Sequence, residues 1–173
     1  AGEDGSLVEP VIPAAHPFGY RNKMAIPAGF VKGVPSLGYY RQGTHDIVPT
    51  AFCNIQKEEN NELLRFAAEF IRRHSISCYN EKTGKGSLRH VMGRVGDDGK
   101  LMVLITATRD LPCEEEWVRE MTEALPFVVS IYHNVQDRKG NVILGKTIRK
   151  LYGSDTLKAS IGALQFEVSP YSF

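Results

Sequence analysis

Cysteine is scarce. Three are present, Cys53, Cys78 and Cys113, and no two form a CxxC pair. An odd number without a secretory pattern excludes a disulfide framework and points to a reducing compartment. The amino-terminal stretch is acidic and lacks an apolar h-region, so it does not read as a signal peptide. The longest strongly apolar run, Leu101 to Ala107, is far too short to span a bilayer. Together these absences predict a cytoplasmic chain with no membrane partner. A charge excess is missing too: 21 Lys and Arg face 20 Asp and Glu, a net charge of +1. Domains that bind nucleic acid by themselves usually carry a basic excess, because neutralised phosphates supply most non-specific affinity. Near-neutrality argues against tight autonomous binding but leaves room for a local basic patch. No internal repeat and no low-complexity segment occur. No glycine-rich loop follows a strand with an acidic ribose partner beyond it, which excludes a nucleotide-type cofactor pocket.

What is present reads as an α+β chain. Residues 1–17, with Pro10, Pro13 and Pro17, suit an extended lead-in. Residues 19–27 alternate loosely and predict a strand, with a connection at Gly29 and Gly33-Val34-Pro35 and a return strand over 36–42. A short strand follows at Ile47–Thr50. From Glu58 to Arg73, Leu63, Phe66, Ala67 and Phe70 fall at helical spacing, with acids at the start and Arg72, Arg73 and His74 at the end, as the helix dipole favours. Ser87–Val95 and Leu101–Ala107 predict two strands joined across Gly96-Asp97-Asp98-Gly99-Lys100. The second of these lacks alternation and is expected to be covered on both faces. A second helix is expected from Pro112 to Ala124, then a β-branched strand over Phe127–His133. Residues 47–135 thus read β-α-β-β-α-β, the order of a ferredoxin-like unit with an antiparallel sheet backed by two helices. Further strands at Val142–Leu144, Thr147–Tyr152 and Leu164–Val168 extend it. The expected organisation is a lead-in, then one domain over 18–173 in which strands at 18–50 and 140–168 flank the 47–135 unit.

The densest set of charged and aromatic residues lies in 18–53. Arg21 and Lys23 alternate with apolar positions and should share one face of the first strand. With Tyr20, Tyr39 or Tyr40, and Arg41 nearby, that face either holds phosphates and stacks an extruded base or is an ordinary solvated strand face. Arg89, His90 and Arg94 form a second basic strand edge. His45-Asp46 is expected to be a structural turn, since adjacent strand residues point apart.

Six short segments carry a resemblance. They are Tyr20-Arg21-Asn22-Lys23, His45-Asp46-Ile47-Val48 with Cys53-Asn54-Ile55, Leu88-Arg89-His90, Asn141-Val142-Ile143-Leu144-Gly145, Leu151-Tyr152-Gly153 and Ser169-Pro170-Tyr171-Ser172-Phe173. In this order they resemble the central region of the S-adenosylmethionine-dependent RNA uracil-C5 methyltransferases, which modify tRNA and large-subunit rRNA. Asn54 departs from the family's usual proline. The resemblance runs from Phe18 to Phe173.

The resemblance implies a central domain that grips structured RNA, rRNA or tRNA, opposite a methyltransferase domain. It implies that this region lines the RNA cleft, and with the strand pattern the expected RNA contacts are Tyr20, Arg21, Lys23, Tyr39, Arg41 and Arg89. The family's reaction is attack of a cysteine thiolate on uracil C6, then methyl transfer from S-adenosylmethionine to C5. Its nucleophile, base and cofactor pocket lie beyond the S-P-x-S-F segment, so this stretch alone is expected to be inactive; the expected oligomeric state is a monomer. Many members hold a 4Fe-4S cluster through three upstream cysteines and a fourth at the position of Cys53. Cys53 is therefore either that fourth ligand in a longer protein or a buried free thiol, and one thiolate cannot hold a cluster. The rival expectation, from another class, is a free-standing ferredoxin-like module that binds RNA or protein and catalyses nothing.

Overall fold

The computed structural model describes residues 8–140 and 142–173. In chain order the elements are β1 (Lys23–Val31), β2 (Val34–Tyr40), β3 (Ile47–Pro49), α1 (Glu58–Arg73), β4 (Leu88–Val95), β5 (Leu101–Ala107), α2 (Glu114–Ala124), β6 (Val128–Val135), β7 (Thr147–Gly153), β8 (Leu157–Ile161) and β9 (Leu164–Val168). A short 3-10 turn, Pro170–Ser172, follows. The chain is α+β.

Seven strands form one sheet in the order β3-β2-β1-β4-β5-β6-β7, and β8 and β9 form a separate hairpin. Both helices contribute to the core on one side of the sheet. There Leu63, Phe70 and Ile71 of α1 and Trp117 and Met121 of α2 meet Ile26, Val91, Val103 and Ile131. The Phe70 and Trp117 rings lie 3.8 Å apart between centroids and lock α1 to α2. On the other side, Met92, Met102, Leu104 and Tyr132 are covered by Leu157, Val168 and Phe173. β5 lies between the two cores and all seven of its residues are buried, which accounts for its unbroken apolar run.

The element order over 47–135 is the expected β-α-β-β-α-β, but the pairing is not the interleaved ferredoxin-like one. The sheet is mixed: β5 and β6 are adjacent and parallel, joined through α2, and the other ladders are antiparallel. β3 is three residues long and mostly exposed, so it stays at the edge. The buried Met24, Ile26 and Ala28 earn β1 the inner place.

Three expected element starts shift by two residues or more, and one expected strand does not form. β1 starts at Lys23, not residue 19, because residues 19–21 bond to 54–57 instead of to a strand. β2 runs Val34–Tyr40, since the turn is Lys32-Gly33. α2 begins at Glu114, with Cys113 in the left-handed region at φ 55°, so Pro112 precedes the helix. Val142–Leu144 forms no strand; its neighbours Asn134 and Gln136 hold that stretch by side-chain bonds. One strand was not anticipated, β8. The basic end of α1 is not merely solvated: Arg73 and His74 contact Glu120 of α2 at 2.7 and 3.1 Å. Asn141 lies outside the described residues.

Candidate nucleic-acid interface

The first and second resemblance segments meet in space. Gly19 N donates to Asn54 O, Arg21 N to Ile55 O, and Lys57 N to Arg21 O. Residues 19–23 therefore lie along the turn that opens α1. A buried amide network fixes them there. Asn60 Nδ2 donates to Asn22 O and to Gln56 Oε1, each at 3.2 Å, and Gln56 Nε2 donates to Tyr39 Oη at 3.0 Å. Asn61 clamps the next stretch, accepting from Cys53 N at 3.0 Å and donating to Cys53 O. Gln56, Asn60 and Asn61 are all buried. The sequence reading missed them. Two adjacent asparagines inside the first turn of a helix, a place their side chains disfavour, were the available signal.

This scaffold presents Tyr20, Arg21 and Lys23, all exposed. The β1–β4 ladder sets Lys23 directly opposite Arg94. Like charges at such a pair repel, so the place favours an acceptor or an anion between them. Arg94 already donates to Ser172 O at 2.7 Å. Arg41 is exposed on a closed turn in which its N–H donates to Asp46 O. His45 and Asp46 belong to that turn, with Asp46 N bonded to Thr44 Oγ1. Tyr39 sits apart from the free surface: it is half-buried against α1 and its hydroxyl is bonded.

Arg89 is placed differently again. It is 3% exposed. Its Nη1 donates to Gln136 O and Arg138 O, its Nη2 to Gly140 O, and its guanidinium lies 4.3 Å from the Tyr79 ring centre. It ties the 136–140 loop to β4 and presents no free cationic surface. The expected second basic edge is thus one exposed-side cation, Arg94, and one interior one.

No family model matches the chain. Over 168 residues, 96% of its length, it is 42% identical to an uncharacterized RNA methyltransferase of Bacillus cereus, covering 36% of that protein. A Clostridium tetani protein of the same description is 39% identical over 168 residues, with the same coverage of 96% and 36%. The chain is homologous to a segment of RNA methyltransferases. It spans little more than a third of the length of the relatives it matches. Its fold matches that of Pyrococcus abyssi tRNA (uracil-54, C5)-methyltransferase, solved with S-adenosyl-L-homocysteine, at TM-score 0.70 and 24% identity, covering 94% of this chain and 38% of that one.

The RNA-methyltransferase homology implies S-adenosylmethionine, and the described residues do not fit it. The only parallel strand that leads into a helix, among those described, is β5, and its crossover is Thr108-Arg109-Asp110-Leu111-Pro112-Cys113, without a glycine. The acids at the start of α2 repel an anion rather than receive one. An iron–sulfur cluster does not fit either. No group of three or more His, Cys, Asp or Glu is placed to hold a metal among the described residues. Cys53 is half-buried, and burial pushes the Cys78 thiol up to about 11, far from a ready thiolate. Among the described residues no helix is long and apolar enough to cross a membrane.

His90 carries a testable pH effect. Burial, with the Arg89 charge beside it, pulls its imidazole down from 6.5 to about 4. It faces Thr106 across the ladder, and neither His90 Nδ1 nor Thr106 Oγ1 has a partner. Above pH 6.5 the ring is neutral in both folded and unfolded chains and costs nothing. Below it, the unfolded chain takes up a proton that the native one refuses until about pH 4. Stability should therefore fall through that window, by about 2 kcal/mol at pH 5 from this group. Urea unfolding of the wild type and His90→Gln at pH 7 and pH 5 checks it. The variant should lose about 2 kcal/mol less on acidification; equal losses would contradict the assignment.

Proposed function

We propose that the chain is the RNA-gripping segment of an S-adenosylmethionine-dependent RNA (uracil-5-)-methyltransferase acting on rRNA or tRNA. The carrying observation is the 42% identity to an RNA methyltransferase across 96% of the chain. The choice of uracil C5 draws on the order of the six resemblance segments, and on a shared fold with a neighbour described as a tRNA (uracil-54, C5)-methyltransferase. S-adenosylmethionine supplies the methyl group in the longer protein. The residues of this segment hold and orient RNA: Arg21, Lys23 and Arg41 meet phosphates, and Tyr20, exposed next to Arg21 in the chain, offers a ring to an unstacked base. Tyr39 acts from behind, by fixing Gln56.

The test is Arg21→Ala and Lys23→Ala, singly and together, in the longer protein, with affinity for tRNA and rRNA transcripts measured at several salt concentrations. Each lost phosphate contact should lower the salt slope by about one unit and weaken binding similarly across RNA sequences. Circular dichroism controls for folding. A folded double variant with unchanged affinity and slope would show that this face does not touch RNA.

A further inference from the structure

The β8–β9 hairpin carries an apolar face that the described residues leave half uncovered. Its register pairs Leu157 with Val168, Ala159 with Phe166 and Ile161 with Leu164, so all six side chains share one face. Lys158, Ser160, Gln165 and Glu167 take the other. At the base, Leu157 is 2% exposed and Val168 packs beneath the main sheet. At the tip, Ile161, Leu164 and Phe166 are 73%, 64% and 43% exposed. The tip turns on Gly162-Ala163, with Gly162 at φ +59°. A two-stranded ribbon without a third strand or a packing surface is marginal in water, and among the described residues neither strand has a third partner. An apolar face kept to the tip points to an occupant beyond the described residues.

The surroundings choose between occupants. The apolar face itself carries no cation, and on the hairpin's other face a single Lys158 meets Glu167, with Asp97 and Asp98 nearby, which disfavours a phosphate backbone. A second copy is disfavoured by size, since three exposed side chains fall well short of the ~1,200 Å² that stable bimolecular interfaces bury. A tethered partner needs far less, because a linker holds it at an effective concentration of the order of millimolar. The relatives supply such a partner, as the match covers only 36% of their length. The hairpin base also shares its apolar cluster with Phe173, so any polypeptide joined there would emerge alongside. We propose that the β8–β9 face docks an apolar surface of the same longer polypeptide, contributed by a region outside this segment. The proposal rests on reading the chain as part of a longer protein, not on the RNA contacts.

The experiment places a thiol at the tip, Ala163→Cys, and follows its alkylation rate by peptide mass spectrometry, in the 173-residue chain and in the longer protein. The rate should fall at least tenfold in the longer protein. In the short chain it should be fast and unaffected by protein concentration or by added tRNA. A companion variant, Ile161→Ser with Leu164→Ser, should leave the thermal midpoint of the short chain unchanged and lower that of the longer protein. Equal alkylation rates in the two proteins would overturn the proposal. So would protection that grows with the concentration of the short chain, which assigns the face to a second copy, or protection by tRNA, which assigns it to nucleic acid. RNA affinity of the longer protein is measured separately, so loss of the RNA reading and loss of the docking face are told apart.

Discussion

Arg89→Met should destabilise the fold by about 3 kcal/mol while leaving RNA affinity of the folded fraction unchanged. The side chain spends its donors inside the protein. Three carbonyls, of Gln136, Arg138 and Gly140, lose a charged donor when it goes. Each buried acceptor left unpaired costs about 1–3 kcal/mol, softened here because the 136–140 residues other than Gln136 are exposed and can rehydrate. Glu81, 4.0 Å away and one-third exposed, adds little. Methionine keeps the volume, so the cost reports the lost bonds. Arg89→Lys should recover only part, because one ammonium cannot reach three carbonyls from a planar fork. Urea unfolding gives the stability, and proteolysis in the 136–146 loop should quicken in step. A Met variant as stable as wild type, yet weaker for RNA, would return Arg89 to the phosphate-binding set.

Arg89 also illustrates what the sequence could and could not reveal. The Leu-Arg-His segment marks the position, but whether an arginine on a strand faces solvent or a returning loop depends on a partner some fifty residues on. β5 was legible because double-sided burial removes alternation, and α1 because its stripe repeats every turn. The Gly96–Lys100 turn announced itself through Asp and Gly. β1 was misplaced because Tyr20 and Arg21 alternate like a strand but pair with the α1 turn. Pro27 reads as an end, yet it sits where β1 passes from pairing β4 to pairing β2, the point at which a missing N–H is tolerated. β8 stayed hidden because Lys158-Ala159-Ser160 is weakly apolar and its pairing partner is needed to show the face. Strand order was illegible for a general reason: ladders between β1 and β4 are long-range contacts, and local pattern fixes element type, not neighbour.

The same limit hid the amide network, whose removal gives the second large effect. Asn60→Ala should cost about 2–3 kcal/mol. Asn60 is fully buried, and its Nδ2 serves both Asn22 O and Gln56 Oε1. Asn22 O keeps its bond from Val95 N, whereas Gln56 Oε1 is left without its donor. The packing is tight enough to need a glycine opposite: a Cβ at Gly93 would lie 2.4 Å from Asn60 Oδ1 and 2.8 Å from Leu63 Cδ2. Gly93→Ala should therefore disturb the network from the β4 side and reproduce much of the loss. The functional consequence separates positioning from charge. Asn22 lies between Arg21 and Lys23, so loosening it blurs both cations without removing either. RNA affinity should fall several-fold in Asn60→Ala, with the salt slope kept, whereas Lys23→Ala lowers the slope by about one unit. Salt titrations of the folded variants in the longer protein decide it. A slope reduced by Asn60→Ala would mean that a phosphate contact is lost outright; an affinity unchanged in both Asn60→Ala and Gly93→Ala would mean that the network holds the fold and not the RNA face.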